Sequence, residues 1–327
     1  MRAVVLTRFG PPDVLQLREV PDPAPKEHEV LIRVRATTAS AGDCDLRGLN
    51  VPIALQIPMR IYVGLALPKP VILGQELAGE IEAVGKEVTR FREGEQVFGW
   101  TGFRLGGYAE HACLPEGAVL ATKPPGMTFE EAAPLAVGGL EAVHFLRRAD
   151  VRSGQKVLIV GAGGSIGSFA VQIAKSFGAE VTAVDNPWKL DMLRSIGADT
   201  VVDYTQEDFT KRGGTYDVIF DVIGKSPFSR SVRLLAPDGR YLMSNPRLSH
   251  RLRGRWISGR GAKQVIPWAA RTASETADDI RALKELVGAG RMRTVIDRSY
   301  PLEQAAEAHR YADTGQKKGN VVITVGR

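Results

Sequence analysis

Apolar and polar positions follow two different rhythms along the chain. Up to about Lys123, stretches such as "EVLIRVRAT", "ELAGEIEAVG", "EQVFGW" and "YAEHACLP" alternate apolar with polar residues or are rich in β-branched ones. That period of two marks half-buried strands, and Gly74, Gly79, Gly85, Gly94 and Gly99 punctuate them closely. The pattern predicts an antiparallel, barrel-like β domain. Near residue 124 the rhythm changes. "TFEEAAPLAVGGLEAVHFLRRA" reads as helix, opened by Thr128 with Glu131 three positions on, a capping box. From residue 156 near-continuous apolar runs ("KVLIVG", "EVTAVD", "DTVVDY", "YDVIFDVIG", "GRYLMS", "KQVIPW") alternate with helical segments. Strands of that kind are covered on both faces, so this part predicts a doubly wound parallel sheet in an α/β domain. A helix, a strand, a helix and a last strand ("NVVITV") follow residue 268; they either extend the sheet or return to the first domain. The division expected is 1–123, 124–268 and 269–327. Residues 49–70, with four prolines and many large apolar side chains, fit no single period. They read as a long loop whose apolar side chains cover something.

Bulk properties narrow the classes. A length of 327 residues suits two domains, and 44% apolar with 24% charged residues is ordinary for a globular protein. No run of uncharged apolar residues is long enough to span a bilayer. The N-terminal apolar run is too short for a secretory segment. Cys44 and Cys113 make neither a disulfide framework nor a C-x-x-C pair, so a reducing cytoplasm is expected. The net charge of +6 is concentrated: residues 247–271 hold seven Lys or Arg and no acid. That run reads as a solvated loop or as a patch for an anionic partner, such as a phosphorylated acyl carrier or an acidic lipid. No nucleic-acid module accompanies it, so nucleic acid is not the expected partner.

The chemistry is most legible in "KVLIVGAGGSIGSFAVQIAKSFGAEVTAVD". A buried strand runs into a glycine-rich turn and a helix starts at once. Glycines let the backbone approach a pyrophosphate, and the helix N-terminus offers N–H groups and positive dipole to it. Gly163, Gly164, Ser165, Ile166 and Gly167 are the expected cradle. Asp185 closes the next strand, where a contact to the adenosine ribose 2′-hydroxyl is expected. A carboxylate there repels a 2′-phosphate, so the cofactor expected is NAD(P)H with a lean to NADH. Lys189, the one nearby cation, keeps NADPH open.

With these markers, and with "ILGQELAGEIEAVGKEVTRFREGEQVFG", "GGYAEHACLP" and "SIGADTVVDY", nearly the whole chain resembles the medium-chain dehydrogenase/reductase superfamily. The resemblance implies a GroES-like β-barrel domain, a Rossmann domain and a tail that folds back onto the former. Zinc members hold the metal with a Cys and a His; here Ser40 and Gln75 stand in those places, so no metal is expected. Without zinc the chain looks like the quinone oxidoreductase (zeta-crystallin-like) branch. That branch passes hydride to quinones or α,β-unsaturated carbonyls and is commonly homodimeric.

On the same resemblance Asp43 and Gln75 are carried over as substrate-side residues. Tyr62, in the apolar stretch, adds a phenol able to donate a proton. Glu76 reads as a structural acid, held by backbone or by an arginine such as Arg47. Tyr204 matches a position near the adenosine phosphate; Ile223 and Gly224 are expected to pass the ribose, and Ser244 and Asn320 to lie nearer the nicotinamide. Glu141 replaces a family threonine and adds negative charge there. Two other readings stay open. One is an enoyl-thioester reductase whose basic run grips an acyl carrier. The other is a low-turnover cofactor-binding protein whose basic run engages a partner.

Overall fold

The structure, a computed structural model, describes residues 1–51, 53–66, 70–246, 248–259, 262–267 and 271–326. Parts of the two segments singled out above (52 and 67–69; 247, 260–261 and 268–270) lie outside the described residues, as does the expected boundary at 268. In chain order come strands β1 (Arg2–Leu6), β2 (Leu15–Glu19) and β3 (Glu29–Thr38), then helices α1 (Ala41–Gly48) and α2 (Ile53–Ile61). Strands β4 (Glu76–Val84), β5 (Gln96–Trp100), β6 (His111–Pro115) and β7 (Leu120–Thr122) follow, with the short helix α3 (Phe129–Ala132) and then α4 (Gly138–Arg148). The alternating part is β8 (Lys156–Val160), α5 (Ser165–Ser176), β9 (Glu180–Asp185), α6 (Leu190–Ser195), β10 (Thr200–Asp203), β11 (Tyr216–Asp221), α7 (Phe228–Arg233) and β12 (Leu235–Met243). It closes with α8 (Leu248–Ser258), β13 (Gln264–Pro267) and α9 (Ala273–Gly288), before β14 (Ile296–Pro301), α10 (Ala305–Asp313) and β15 (Asn320–Thr324).

These elements form two compact units, Met1–Val137 with Thr294–Arg327, and Gly138–Arg293. Both divisions fall later than 123 and 268. The reason is packing: α3 lies on β3 and β4 and stays with the first unit, while α9 lies on α4 and stays with the second. Only β14, α10 and β15 return.

The first unit holds a seven-stranded sheet, β14-β15-β3-β4-β5-β7 with β6 also on β3, and a separate antiparallel pair, β1-β2. The β3–β4–β5–β7 ladders are antiparallel, as the period of two requires. Val30, Ile32 and Val34 of β3 pack with Leu77 and Ile81 of β4 in its core. Returning β15 pairs antiparallel with β3 through Val322, Ile323 and Thr324. Within the stretch read as a loop at 49–70, residues 53–66 are instead helical, α2 followed by a wider π-type turn over Tyr62–Ala66. Pro58 sits inside α2, which is why its prolines misled. Nor do its apolar side chains all cover something: Ile53, Ile57 and Ile61 are exposed.

The second unit is a parallel sheet in the order β10-β9-β8-β11-β12-β13. The order reverses between β8 and β11, and the loops after those two strands line the crevice where ligands bind in such sheets. Leu158, Ile219 and Tyr241 anchor the core on one face. The helix expected from Thr128 is capped as predicted, by a reciprocal box with Glu131, but it breaks. A tight turn over Ala133–Leu135 precedes α4, where Pro134 and the glycines Gly138 and Gly139 interrupt it.

Candidate active site

In the second unit, β8 delivers the chain into the glycine turn and α5 starts at Ser165 with Gly164 as its N-cap and no side chain capping it. The first-turn N–H groups are therefore left for a ligand. A Cβ on Gly167 would stand 2.3 Å from the Gly161 carbonyl oxygen and 2.6 Å from the Ala162 Cα. The closeness of helix to turn that the phosphate-binding fingerprint needs is thus present. An uncapped helix end over a glycine-rich turn, with the Ala162 side chain buried, fits a dinucleotide pyrophosphate.

Asp185, at the end of β9, faces inward. Its Oδ2 accepts from the Gly163 N–H at 2.7 Å, and its Oδ1 accepts from the Asn186 N–H at 2.8 Å. Lys189 Nζ lies 3.2 Å from Oδ1, and both side chains are almost fully buried. Cofactor loop, acid and lysine are brought together as a closed latch; Tyr204 lies beside it, half exposed, its N–H on the Asp185 carbonyl at 3.4 Å.

The loop after β11 is organised by Asp221, which the sequence reading missed. Its buried carboxylate accepts from the N–H groups of Gly224 at 2.8 Å and Ser226 at 3.3 Å, and from the Tyr241 hydroxyl at 3.1 Å. Ser244 bonds the Asp221 carbonyl through its N–H at 3.3 Å. Gly224 and Ser244 are thus both tied to Asp221, one through its carboxylate and the other through its backbone carbonyl; the available signal was a strand-ending Asp three residues before a glycine. Glu141 does not bring an unbalanced charge, since Arg271 pairs with it. Burial pushes the Glu141 carboxyl up. His144, on the same helix, is not fully satisfied: its Nδ1 is held by Asp279 at 2.8 Å, while its buried Nε2 has no hydrogen-bond partner among the described residues.

The first unit carries the other predicted residues. Gln75 borders a cavity of about 110 Å³ with Gly42, Met59, Tyr62, Phe103 and Leu105. Gly42 makes the room: a Cβ there would stand 2.5 Å from Gln75 Oε1. Tyr62 donates its hydroxyl to the Phe103 carbonyl, which holds the ring against Phe103 but engages the proton it was expected to offer. Asp43 is fully buried: Oδ2 accepts from Ser40 Oγ at 2.6 Å and Oδ1 from the Gly74 N–H at 3.1 Å. Burial raises its pKa to about 6.

Glu76 is buried beside it, and burial, with the Asp43 charge contributing, raises its pKa to about 8. Its partners are Thr38 Oγ1 and the Val137 N–H at 3.0 Å, not Arg47. Arg47 instead pairs with Asp313 at 2.7 Å and donates to His309 Nδ1 at 3.2 Å. Tyr108 gives its proton to the Thr38 carbonyl at 2.9 Å, so it accepts from His309 Nε2 at 2.8 Å. Burial holds that imidazole neutral, lowering its pKa to about 3. Asn320 sits at the start of β15 with its amide on the Val295 carbonyl at 3.1 Å.

These donors do not fit zinc. The Ser40 hydroxyl is engaged by Asp43, both Glu76 oxygens have partners, and Gln75 offers an amide in place of imidazole. Among the described residues no group of three or more His, Cys, Asp and Glu is placed to hold a metal ion.

Residues 26–125 match the alcohol dehydrogenase GroES-like domain and residues 196–323 the family described as zinc-binding dehydrogenase. The chain is 31% identical to a quinone oxidoreductase of Pseudomonas aeruginosa, over 98% of this chain and 99% of that one. It is 28% identical to an NADPH-dependent alkenal/one oxidoreductase of Arabidopsis thaliana, over 99% of this chain and 79% of that one. The solved quinone oxidoreductase of Coxiella burnetii superposes with a TM-score of 0.87 at 26% identity, covering 100% of this chain and 99% of that one.

Proposed function

Because this chain belongs to the quinone oxidoreductase branch of the medium-chain dehydrogenase/reductase superfamily, we propose that it reduces quinones or α,β-unsaturated carbonyl compounds with a reduced nicotinamide. The observation that carries this is the polar set lining the cavity, Gln75, Tyr62 and Asp45, with no thiolate or imidazole among the described lining residues. An alcohol or simple ketone needs a Lewis acid or a strong general acid–base group to react, whereas a quinone or enone is already electrophilic.

The nicotinamide supplies the hydride when bound. Gly163, Gly164, Ser165, Ile166 and Gly167 hold its pyrophosphate at the uncapped end of α5, and Ile223, Gly224, Ser244 and Tyr204 line the same unit's crevice. Gln75 donates its amide N–H to the substrate oxygen as negative charge develops there. Asp43 is a positioning residue that sets the Ser40–Gly74 frame, and Tyr62 a rigid wall. Asn320 is assigned to the nicotinamide side on the resemblance. A cytoplasmic homodimer is the setting this reading takes; Cys44 and Cys113 are free, in keeping with a reducing compartment.

NADH is the preferred donor on this reading, since Asp185 repels a 2′-phosphate and Lys189 is already engaged by it. Oxidation of NADH and NADPH, followed separately against a quinone and an enone in chelator, tests both points. Turnover unaffected by chelator is expected, with NADH favoured about tenfold and Asp185→Ser shifting preference toward NADPH. Loss of activity on chelation, or no oxidation by either acceptor despite cofactor binding, would sink the reading. Gly42→Ala is expected to push Gln75 aside and lower kcat/KM for the acceptor on the order of tenfold, at unchanged NADH affinity. Initial rates at saturating NADH check it.

A further inference from the structure

The basic run is not the loop the sequence suggested but, over Leu248–Ser258, the helix α8. Its inner side is held by several contacts. A Cβ on Gly254 would meet Val265 Cγ1 at 2.6 Å, so helix and strand β13 touch closely there. Ser258 Oγ accepts the Val265 N–H at 2.9 Å, Ile257 packs on the core, and His250 stacks on Phe228 with ring centroids 5.2 Å apart. With that side inward, Leu252 and Trp256, one helical turn apart, point outward, 66% and 59% exposed. Arg253 and Arg255 are exposed beside them.

Exposed Leu and Trp on one face cost solubility unless something covers them. The flanking charge says what. Of the cations in this acid-free run, Arg271 is paired with Glu141 and Lys263 donates to the Val232 carbonyl, whereas Arg253 and Arg255 stand exposed on either side of the Leu252–Trp256 pair. A convex helix has no groove to seat an acidic peptide, and a nucleic acid would engage the arginines and stack a base on Trp256 but leave Leu252 in water. An anionic lipid surface satisfies both: guanidinium groups meet lipid phosphates, and an indole suits the boundary between headgroups and acyl chains. We propose that α8 docks this protein peripherally on anionic membranes through Leu252, Trp256, Arg253 and Arg255. No helix among the described residues is long and apolar enough to cross a membrane, so the attachment is to the surface.

The test is co-sedimentation of the full chain with phosphatidylcholine vesicles, with and without phosphatidylglycerol, at low and high salt. Binding is expected to the anionic vesicles alone, lost at high salt, with a blue shift of tryptophan emission. Arg253→Glu with Arg255→Glu should weaken it at least about tenfold. Leu252→Ser with Trp256→Ser should abolish the blue shift and weaken binding comparably. Both variants lie outside the reaction machinery, so NADH oxidation in vesicle-free buffer should be unchanged, which also shows that they fold. The proposal is overturned by failure to sediment with anionic vesicles, or by binding that survives both double substitutions. It is equally overturned if the protein is captured by RNA but not by vesicles. So too if Leu252→Ser with Trp256→Ser lowers the oligomeric state without vesicles, the sign of a face covered by a second copy.

Discussion

Gly167→Val is expected to abolish nicotinamide binding and to lower kcat/KM at least about a hundredfold, or about 2.7 kcal/mol in transition-state stabilisation. The reason is local and backbone-made. The Cβ would lie 2.3 Å from the Gly161 carbonyl oxygen and 2.6 Å from the Ala162 Cα, and neither atom can turn aside as a side chain does. Relief requires α5 to move off the turn it packs on, which carries the first-turn N–H groups away from the pyrophosphate. Gly163→Ala is the informative contrast. Its Cβ would meet Lys189 Cδ at 2.5 Å and Asp185 Oδ2 at 3.1 Å, and a lysine side chain can move. That change should open the latch and cost far less. Titration of NADH by its fluorescence, with circular dichroism to confirm folding, separates the two; a folded Gly167→Val protein with normal NADH affinity would refute the packing argument.

The second large effect is on stability and its pH dependence. Burial raises Glu76 from an ordinary 4.5 to about 8, with Asp43 adding to the rise, so the folded chain keeps a proton that the unfolded chain releases. Its contribution is full below about pH 4.5 and is lost as pH climbs through about 8, at up to about 1.4 kcal/mol per pH unit. Asp43 behaves alike, from 3.8 to about 6. Glu76→Gln removes the larger of these slopes without leaving the site empty. The amide oxygen can accept from the Val137 N–H and the amide N–H can face Thr38 Oγ1, whose hydroxyl turns to accept. Urea unfolding should then show a variant more stable than the parent near pH 8 and no better near pH 5. Parallel stability profiles for the two proteins would mean that Glu76 is already ionised at neutral pH. The same substitution separates a structural acid from a catalytic one, because turnover at neutral pH should fall by no more than a few-fold.

What could be read from the residues alone was what neighbours in the chain decide. The succession of β8, glycine turn, α5, β9 and Asp185 spans some thirty residues, and each of its signals acts within a turn or two. The capping box of Thr128 and Glu131 is equally local and formed as written. The sheet class follows too, because covered parallel strands must be apolar throughout. Side-chain partners were a different matter. Thr38 and Val137 on Glu76, Arg271 on Glu141, and Asp313 on Arg47 come from tens to hundreds of residues away, and no period records them. The inward turn of Asp185 depends on where the Gly163 N–H lies once the turn has closed. In α2 and α8, prolines, glycines and arginines hid helices; the inner face of α8 is set by packing on the following strand β13 and by the stacking of His250 on Phe228. Local sequence therefore determined most of the backbone elements and the glycine turn at which a cofactor is expected, since steric and hydrogen-bonding preferences act over a few residues. Only the tertiary structure decided which charges are neutralised, which carboxyls keep their protons and which helix face meets solvent, because burial and pairing exist only after distant segments have packed.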